Sequence, residues 1–364
     1  MSHPRRSPAT TTAFINAVGT AVPDHDVHAA YVRWAEGRLE DARVRALFAR
    51  MAERSGIEHR WSVLPVGPGG GSPVEAGGFY HGPLPTTAAR MEIYAREAPG
   101  LALAAVARLR QRVALSGITH LVVASCTGFV APGIDQIVAA ELGLDGSVER
   151  TLVGFMGCYA AVSSLRLAHH LVRSEPAARV LVVTVELSSL HLQEESDVER
   201  LLASLQFGDG ASASLVTADP HGFAVSRPFA ATLPDSERLI RWDIGDHGFV
   251  MELSGEVPGR IAGALRDEKV RKAVLGGEPA EAFDAWAVHA GGRSVLDAVE
   301  HGLGLPPQAL DASRGVLRRY GNMSSSTLPF VIESLLADPD KRRGVAMAFG
   351  PGLAAEGFQF ERAP

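Results

Sequence analysis

The sequence predicts an α/β fold in which the same order of elements occurs twice. Short apolar runs typical of buried strands alternate with longer stretches of helical periodicity. The order seen in the first half of the chain returns in the second half. The composition, with 46% hydrophobic and 21% charged residues, is that of an ordinary globular protein. Disordered, collagen-like and coiled-coil classes are therefore excluded.

The first element is open to two interpretations, a signal peptide or a β-strand. Arg5 and Arg6 precede a mildly apolar stretch over 13–22, which resembles the start of a signal peptide. That stretch contains Asn16 and Gly19, and no A-x-A cleavage site follows it, so a first strand is favoured. No segment approaches the ~18 consecutive apolar residues that a membrane span needs.

Helical and strand patterns then alternate up to the first cysteine. Helical periodicity marks 38–54 and again 86–116. The Gly- and Pro-rich segment 64–82 between them predicts a loop, and it lacks the preceding strand and GK[ST] ending of a phosphate-binding loop. The β-rich run 119–124 predicts a buried strand that leads to Cys126.

Two more strands complete the first half, and one of them runs directly into a cysteine at a helix start. Residues 151–155 predict a short strand that stops at Gly157 and Cys158. A helical pattern begins there and continues to Val172. Residues 179–185 carry the clearest strand pattern of the chain.

The second half repeats this order. A short strand over 285–288 ends at His289, and Asn322 opens a helix that runs to Leu336. A last strand over 344–349 is closed by a Gly-Pro-Gly turn. Its counterpart in the first half is the strand at 179, and the repeated order predicts a duplicated fold.

The duplication brings candidate reactive residues to equivalent positions. Cys126 and His289 both follow strands, whereas Cys158 and Asn322 both open helices. Such positions converge at the carboxyl ends of strands, where open α/β sheets bind ligands. The predicted halves are 1–220 and 221–364.

Charge and cysteine usage exclude several classes. Lys and Arg number 35 against 41 Asp and Glu, a formal net charge of −6, which disfavours nucleic acid and anionic membranes as partners. The two cysteines are too few for a disulfide scaffold or a four-cysteine zinc site. We therefore predict no metal and a reducing, cytoplasmic location.

Cys158 is the candidate nucleophile because backbone N–H groups and the helix dipole at a helix start stabilise a thiolate. Its alternative is a small buried hydrophobic residue. His289 could pair with the sulfur or be a structural histidine, and Asn322 could be a reacting group or a simple helix cap.

The motifs around these residues resemble those of type III polyketide synthases, the chalcone-synthase-like branch of the thiolase superfamily. The resemblance covers nearly the whole chain from about Phe14. A ketoacyl-ACP synthase III would share the Cys, His and Asn motifs alone. The matching segments begin at Gly154 (GFMGCYA), Phe207 (FGDGA), Val257 (VPG), His289 (HAGG), Gly321 (GNMSS) and Phe349 (FGPGL).

This resemblance implies a thiolase-like duplicated αβαβα layered fold and a homodimeric acyltransferase that uses acyl-CoA and malonyl-CoA without a further cofactor. Cys158 would carry the acyl group and His289 would keep its sulfur as a thiolate. His289 and Asn322 would donate hydrogen bonds to the malonyl thioester oxygen as its enolate forms.

The resemblance also implies a set of substrate-binding residues. Phe207 resembles the gatekeeper between a CoA tunnel and the reaction cavity. Arg50 and Arg54 resemble positions that hold CoA phosphates, although a solvated helix face is an equal alternative. Ser324 and Gly352 complete the expected set.

Four positions depart from the plant pattern. Met251 replaces the second gatekeeper phenylalanine, and Trp242 stands where a glycine opens the plant cavity. Cys126 replaces a threonine that helps steer aldol cyclisation together with Glu186 and Ser324, and we expect a pocket thiol there rather than a second nucleophile. His191 replaces another cavity threonine and changes its shape and polarity.

The expected activity is repeated condensation of malonyl-CoA onto a medium or long fatty acyl-CoA, giving alkylpyrone- or alkylresorcinol-type products. Met251 loosens one cavity wall and favours a chain, whereas Trp242 favours a small malonyl or acetyl starter. A ketoacyl-ACP synthase III is a rival enzyme. A catalytically inactive scaffold subunit is a rival from another class, and the intact Cys158, His289 and Asn322 argue against it.

Overall fold

The computed structural model describes residues 11–67 and 71–364. The strands are β1 (Ala13–Ala21), β2 (His25–Asp26), β3 (Trp61–Ser62), β4 (His120–Ser125), β5 (Glu149–Gly154), β6 (Val180–Leu187), β7 (Asp209–Thr217), β8 (Phe223–Thr232), β9 (Ile240–Gly245), β10 (Gly248–Leu253), β11 (Ala285–Val288), β12 (Arg343–Gly350) and β13 (Ala354–Arg362).

The helices alternate with these strands, as the sequence predicts. They are α1 (His28–Gly37), α2 (Ala42–Arg54), α3 (Thr87–Arg110), α4 (Ile134–Glu141), α5 (Ala160–Ser174), α6 (Val198–Ser204), α7 (Val257–Arg266), α8 (Glu268–Leu275), α9 (Arg293–Leu303), α10 (Asp311–Tyr320) and α11 (Thr327–Ala337).

The main sheet shows the duplication directly. Across the described residues, nine strands follow the order β11-β12-β13-β8-β1-β7-β6-β4-β5. In the first half β4 pairs parallel with β6, which pairs antiparallel with β7. In the second half β11 pairs parallel with β12, which pairs antiparallel with β13. The two half-sheets meet where β1 pairs briefly with β8.

Helices fill three layers around the two half-sheets. The central layer is α5 and α11, whose apolar residues pack with inward-facing residues of both halves, such as Ile15 and Phe358. Helix α3 covers the outer face of the first half, and α7 to α10 cover that of the second. This is the expected αβαβα order.

Most predicted elements are confirmed, and the apolar stretch 13–22 is a strand rather than a signal peptide. Arg5 and Arg6 lie outside the described residues, as does 68–70 within the predicted loop. The last helix begins at Thr327 rather than at Asn322, because a single 3-10 turn over Ser324–Ser326 separates them.

Several elements were not predicted from the sequence, among them α1, the small β2–β3 sheet and the main-sheet strands β7, β8 and β13. β9 and β10 form a two-stranded ribbon apart from the main sheet. Its pairing places Trp242 directly opposite Met251. Among the described residues, no helix is long and apolar enough to cross a membrane.

Candidate active site

The turn that carries Cys158 is fixed by backbone geometry on both sides. Phe155 and Gly157 have φ values of 56° and 75°, in the region that favours glycine. A Cβ on Gly157 would lie 2.4 Å from a ring carbon of Pro351, so only glycine fits there. Cys158 consequently enters a 3-10 turn that leads into α5, with its thiol at the helix N-terminus, where a thiolate is stabilised.

His289 and Asn322 approach each other across Gly291. His289 follows β11 directly, and its backbone N–H donates to the Met347 carbonyl at 2.9 Å. Asn322 Nδ2 donates to the Gly291 carbonyl at 3.1 Å. A Cβ built on Gly291 would lie 3.3 Å from His289 Nε2 and 4.0 Å from Asn322 Nδ2. Both nitrogens therefore border the same small space.

The backbone of Asn322 ties the second half of the chain to the Phe207 segment. Its N–H donates to the Gln206 carbonyl at 2.7 Å, and its carbonyl accepts from Gly208 N–H at 3.0 Å. Asn322 Oδ1 accepts from the backbone N–H of Ser324 at 2.8 Å. The side-chain amide is thereby oriented, and its Nδ2 donor is turned towards the His289 side.

Burial controls the charge state of the two reactive groups when each is considered alone. It raises the pKa of the Cys158 thiol to about 12, although hydrogen bonds from Ser324 and Asn322 act in the opposite direction. Burial also lowers the pKa of His289 to about 3. Among the described residues, neither ring nitrogen of His289 has a hydrogen-bond partner. Both nitrogens are thus available to a substrate or to the thiol.

A polar network lies beside the thiol. Ser324 Oγ is 3.1 Å from Cys126 Sγ and 3.7 Å from Cys158 Sγ, so one hydroxyl contacts both sulfurs. Glu186 accepts from Cys126 N–H at 2.9 Å and from Thr127 Oγ1 at 2.8 Å. Burial raises the pKa of the Glu186 carboxyl and raises the pKa of Cys126 well above its usual value. Cys126 is therefore a neutral pocket thiol.

The cavity at the thiol, of about 330 Å³, collects most of the predicted pocket residues. Phe207, Met251 and Trp242 line it together with Cys158, and Cys126 and Ser324 lie beside the sulfur. Five further lining residues were not predicted as site residues from the sequence. They are Thr127, Gly157, Ser188, Ile240 and Pro351.

Trp242 is held firmly in that wall. Its indole N–H donates to the Cys126 carbonyl at 2.8 Å. His191 meets it edge-on at 5.5 Å and stacks on Phe249 at 4.2 Å. His191 Nε2 bonds to the Thr127 carbonyl, and its Nδ1 accepts from Phe249 N–H. Burial lowers the pKa of His191 to about 3, so the ring is neutral and changes the polarity of the wall without adding a charge.

A second chamber, of about 800 Å³, adjoins the thiol cavity. The two spaces share Ser188, Phe207, Trp242 and Met251. His191 lines the second chamber rather than the thiol cavity. The remaining wall is largely apolar and aromatic, and it includes Val27, Tyr31, Leu64, Pro73, Val74, Tyr80, Leu192 and Phe249.

Three predicted binding residues line neither space. Arg50 and Arg54 are on α2 rather than at either cavity, and the carbonyl of Arg54 accepts a hydrogen bond from Arg293 at 3.0 Å. In the loop after β12 the lining residue is Pro351, and Gly352 stands beside it with a φ of 71°. Across the described part of the chain, no cluster of three metal-binding side chains occurs.

Comparison with known proteins decides the family. The description "Chalcone and stilbene synthases, N-terminal domain" matches residues 2–220, and the corresponding C-terminal domain matches residues 226–363. The chain belongs to the chalcone and stilbene synthase family. It is a type III polyketide synthase, an acyltransferase of the condensing type.

Individual relatives agree with this assignment. Alpha-pyrone synthesis polyketide synthase-like Pks18 of Mycobacterium tuberculosis is 32% identical over 98% of this chain and 92% of its own. Type III polyketide synthase C of Arabidopsis thaliana is 34% identical over 67% of this chain and 68% of its own.

Solved structures show the same fold. The C-terminal type III polyketide synthase domain of the Dictyostelium type I/III hybrid Steely1 has a TM-score of 0.87 at 27% identity, covering 97% of this chain and all of that domain. PKS-I of the brown alga Ectocarpus siliculosus has a TM-score of 0.86 at 27% identity, covering 98% of this chain and all of the algal one.

For this chalcone and stilbene synthase relative, we predict that His289 controls the reactivity of Cys158. With both residues present, iodoacetamide should alkylate Cys158 rapidly well below the pKa of about 8.5 of a free thiol. In His289→Ala the imidazole can no longer take the proton, and burial is then the largest influence on the pKa of the Cys158 thiol, which it raises. Alkylation should then need a more alkaline pH than a free thiol requires.

Rates of Cys158 labelling from about pH 5 to about pH 10, followed by mass spectrometry of the intact protein, measure this shift on either side of the free-thiol pKa. Cys126→Ala is the background for both measurements, so that a single thiol is followed. Superimposable pH profiles with and without His289 would show that the imidazole does not pair with the sulfur.

Proposed function

We propose that this type III polyketide synthase extends an acyl-CoA starter by iterative decarboxylative condensation with malonyl-CoA, and that the starter carries a medium or long fatty acyl chain. The observation that supports a chain is the second chamber, which adjoins the thiol cavity and shares Phe207 and Met251 with it.

Loading begins with transfer of the Cys158 proton to His289, which makes a thiolate and an imidazolium without changing the net charge of the site. The thiolate attacks the starter thioester carbonyl, and the CoA sulfur leaves with the proton from His289. The acyl group is then bound to Cys158 through a new thioester.

Extension uses the nitrogens that border the Gly291 space. Malonyl-CoA loses CO₂, and the remaining electron pair forms an enolate whose oxygen accepts hydrogen bonds from His289 and Asn322 Nδ2. The enolate carbon attacks the acyl carbonyl, and Cys158 leaves as the thiolate. A proton from solvent restores the imidazolium of His289, and the product, a β-ketoacyl-CoA two carbons longer, can then load again.

The second chamber is suited to the starter chain. Each buried methylene contributes about 0.8 kcal/mol, and the largely apolar wall offers such burial. Trp242 is part of the wall of the thiol cavity, which measures about 330 Å³. Trp242 also lines the second chamber. In the proposed arrangement it therefore directs the acyl chain past Phe207 into that chamber and does not block the starter altogether.

The product class follows from the network beside the thiol. Cys126 replaces a hydroxyl, and its carboxylate neighbour Glu186 already accepts from several donors. Closure of a pyrone ring through an enol oxygen needs no help from that network. We therefore place alkylpyrones before alkylresorcinols, in keeping with the alpha-pyrone synthesis named for the Mycobacterium tuberculosis relative.

Two rival activities make different demands. A synthase that starts from malonyl-CoA or acetyl-CoA would leave the second chamber without an acyl chain. A ketoacyl-ACP synthase III would require an acyl carrier protein and stop after one condensation.

The CoA phosphates of the proposed substrates would meet Arg50 and Arg54 on α2. The cytoplasm remains the predicted location, since both cysteines are free thiols.

The proposed quaternary structure is a homodimer formed at the free edge of the main sheet. β5 is the outermost strand and its residues are mostly exposed. Leu152 on this strand is 49% exposed, and neighbouring Phe129 is 46% exposed. An exposed edge strand with apolar side chains is a template for pairing with a second copy.

The catalytic assignment predicts different outcomes for the two cysteines. Cys158→Ala should abolish polyketide formation from acyl-CoA and malonyl-CoA in the absence of any carrier protein, while circular dichroism shows an unchanged fold. Cys126→Ala should alter only the rate or the product ratio, because its thiol is neutral and lies beside the reaction. Liquid chromatography with mass spectrometry measures the products. Activity in Cys158→Ala, or equal loss in both variants, would contradict the assignment.

The chamber predicts a dependence on starter length. From acetyl-CoA to octanoyl-CoA, kcat/KM should rise by up to about fourfold per methylene, the equivalent of about 0.8 kcal/mol, until the chamber is full. Val74→Trp should narrow the chamber and end the rise at shorter chains. A preference for malonyl-CoA or acetyl-CoA as the starter would instead establish a small-starter synthase.

The edge-strand dimer predicts that Leu152→Lys produces a monomer, because a desolvated ammonium group would then lie in the interface. Analytical ultracentrifugation measures the mass. Met51→Lys is the matched control, because Met51 is 45% exposed but lies on α2, which packs against α1 and α6 rather than against β5. A wild-type monomer, or a dimer that survives Leu152→Lys, would refute this interface.

A further inference from the structure

Arg60 is a buried cation in the wall of the second chamber. It is 3% exposed and precedes β3. Its Nε donates to His28 Nδ1 at 3.0 Å, and its Nη1 donates to the carbonyls of Ser204 at 3.2 Å and Phe207 at 2.7 Å. The guanidinium carbon lies 4.6 Å from the centre of the Tyr31 ring. All these partners are formally neutral.

The guanidinium group lacks a carboxylate partner. Asp26 Oδ1 accepts from the backbone N–H of Arg60 at 3.2 Å, but within the described residues no carboxylate oxygen bonds to the guanidinium group, and its buried Nη2 has no hydrogen-bond partner. Asp209 acts on it only at longer range, because its oxygens accept from Ser189 and from Val63 N–H. Burial lowers the pKa of Arg60 to about 10, so the group is charged at neutral pH. Buried charges are ordinarily paired.

The other charges of the chamber cancel. Besides Arg60, the charged residues among those that line it are Glu195 and Arg200, and these pair with each other at 3.2 Å. His191 is neutral because burial lowers its pKa to about 3. Among the lining side chains, the charge of Arg60 therefore has no direct partner, and the carboxylates Asp26 and Asp209 act on it only from behind the wall.

Ser72 supplies a second unsatisfied polar atom to the same chamber. Its hydroxyl is buried without a partner among the described residues, although its backbone N–H donates to Glu75 Oε2 at 2.7 Å. By contrast, the hydroxyls of Ser62 and Ser189 in this wall bond to each other. The residues that line the chamber thus include two groups, an N–H and a hydroxyl, that lack a partner among the described residues.

We propose that the second chamber recognises a carboxylate at the far end of the acyl chain, so that the preferred starter is the CoA monothioester of a dicarboxylic acid. The carboxylate would accept from Arg60 Nη2 and Ser72 Oγ while the methylenes contact the apolar wall. This inference rests on the proposed function, since it specifies the starter that the chamber binds.

A second buried arginine, Arg90, serves as the control for Arg60. Arg90 is fully buried, and its Nη2 is likewise unpartnered among the described residues. Its other nitrogens donate to the carbonyls of Pro85, Leu190 and Leu192. Arg90 lines neither cavity, so no part of the starter should reach it.

The test compares starters of matched length that differ only in the terminal group, namely hexanoyl-CoA with adipoyl-CoA and octanoyl-CoA with suberoyl-CoA. The wild-type enzyme should favour the carboxylated member at least tenfold in kcat/KM. Arg60→Gln should remove this preference, and Ser72→Ala should reduce it at least threefold. Arg90→Gln and Ser62→Ala should leave the ratio unchanged.

The ratio separates recognition from general damage, because loss of the Phe207 contact slows both members of a pair equally. A wild-type ratio near one, or a ratio that Arg60→Gln and Ser72→Ala leave unaltered, would overturn the inference while the condensation itself stands. If Arg60→Gln does not fold, the kcat/KM ratio measured for Ser72→Ala alone tests the inference. Failure to condense any of the four starters would instead refute the proposed function, and the inference with it.

Discussion

The shared burial of α5 and α11 between the two half-sheets is the constraint on which the site depends. Each helix packs its apolar residues against strands of both halves, so neither half can move without opening the core. Cys158 precedes α5, and Asn322 precedes α11 by a single 3-10 turn. The central layer thereby brings the two reactive side chains to one place, and β11 delivers His289 beside them.

The same burial governs the chemistry. Desolvation opposes a lone thiolate at Cys158 and a lone imidazolium at His289, as the directions of their pKa shifts show. One proton moved between the two groups creates both charges together and leaves the net charge unchanged. Under the proposed mechanism the two charges therefore form only as a pair. The sulfur of Cys158 becomes a nucleophilic thiolate only when His289 takes its proton.

The repeat of strand and helix patterns predicted a duplicated α/β fold and singled out the candidate reactive residues, because each lies at the end of a predicted element. The αβαβα order came from the family resemblance, since β7, β8 and β13 had not been predicted. The second chamber could not be predicted, since its wall combines residues from α1, the loop near Ser72 and the ribbon. The alternation of apolar and polar residues from Ile240 to Ile244, followed by a turn between Gly245 and Gly248, did contain a signal for that ribbon. The unpaired state of Arg60 depends on distances that no sequence pattern reports.

The ribbon of β9 and β10 stands apart from the nine-stranded sheet, yet it supplies two facing residues of the cavity wall, Trp242 and Met251. Side chains there can change size without disturbing the central helices or the turn at Cys158. Evolution can therefore vary the contents of the cavity independently of the reaction centre. A small, separately paired ribbon makes the range of products an easily altered property of an otherwise rigid catalyst.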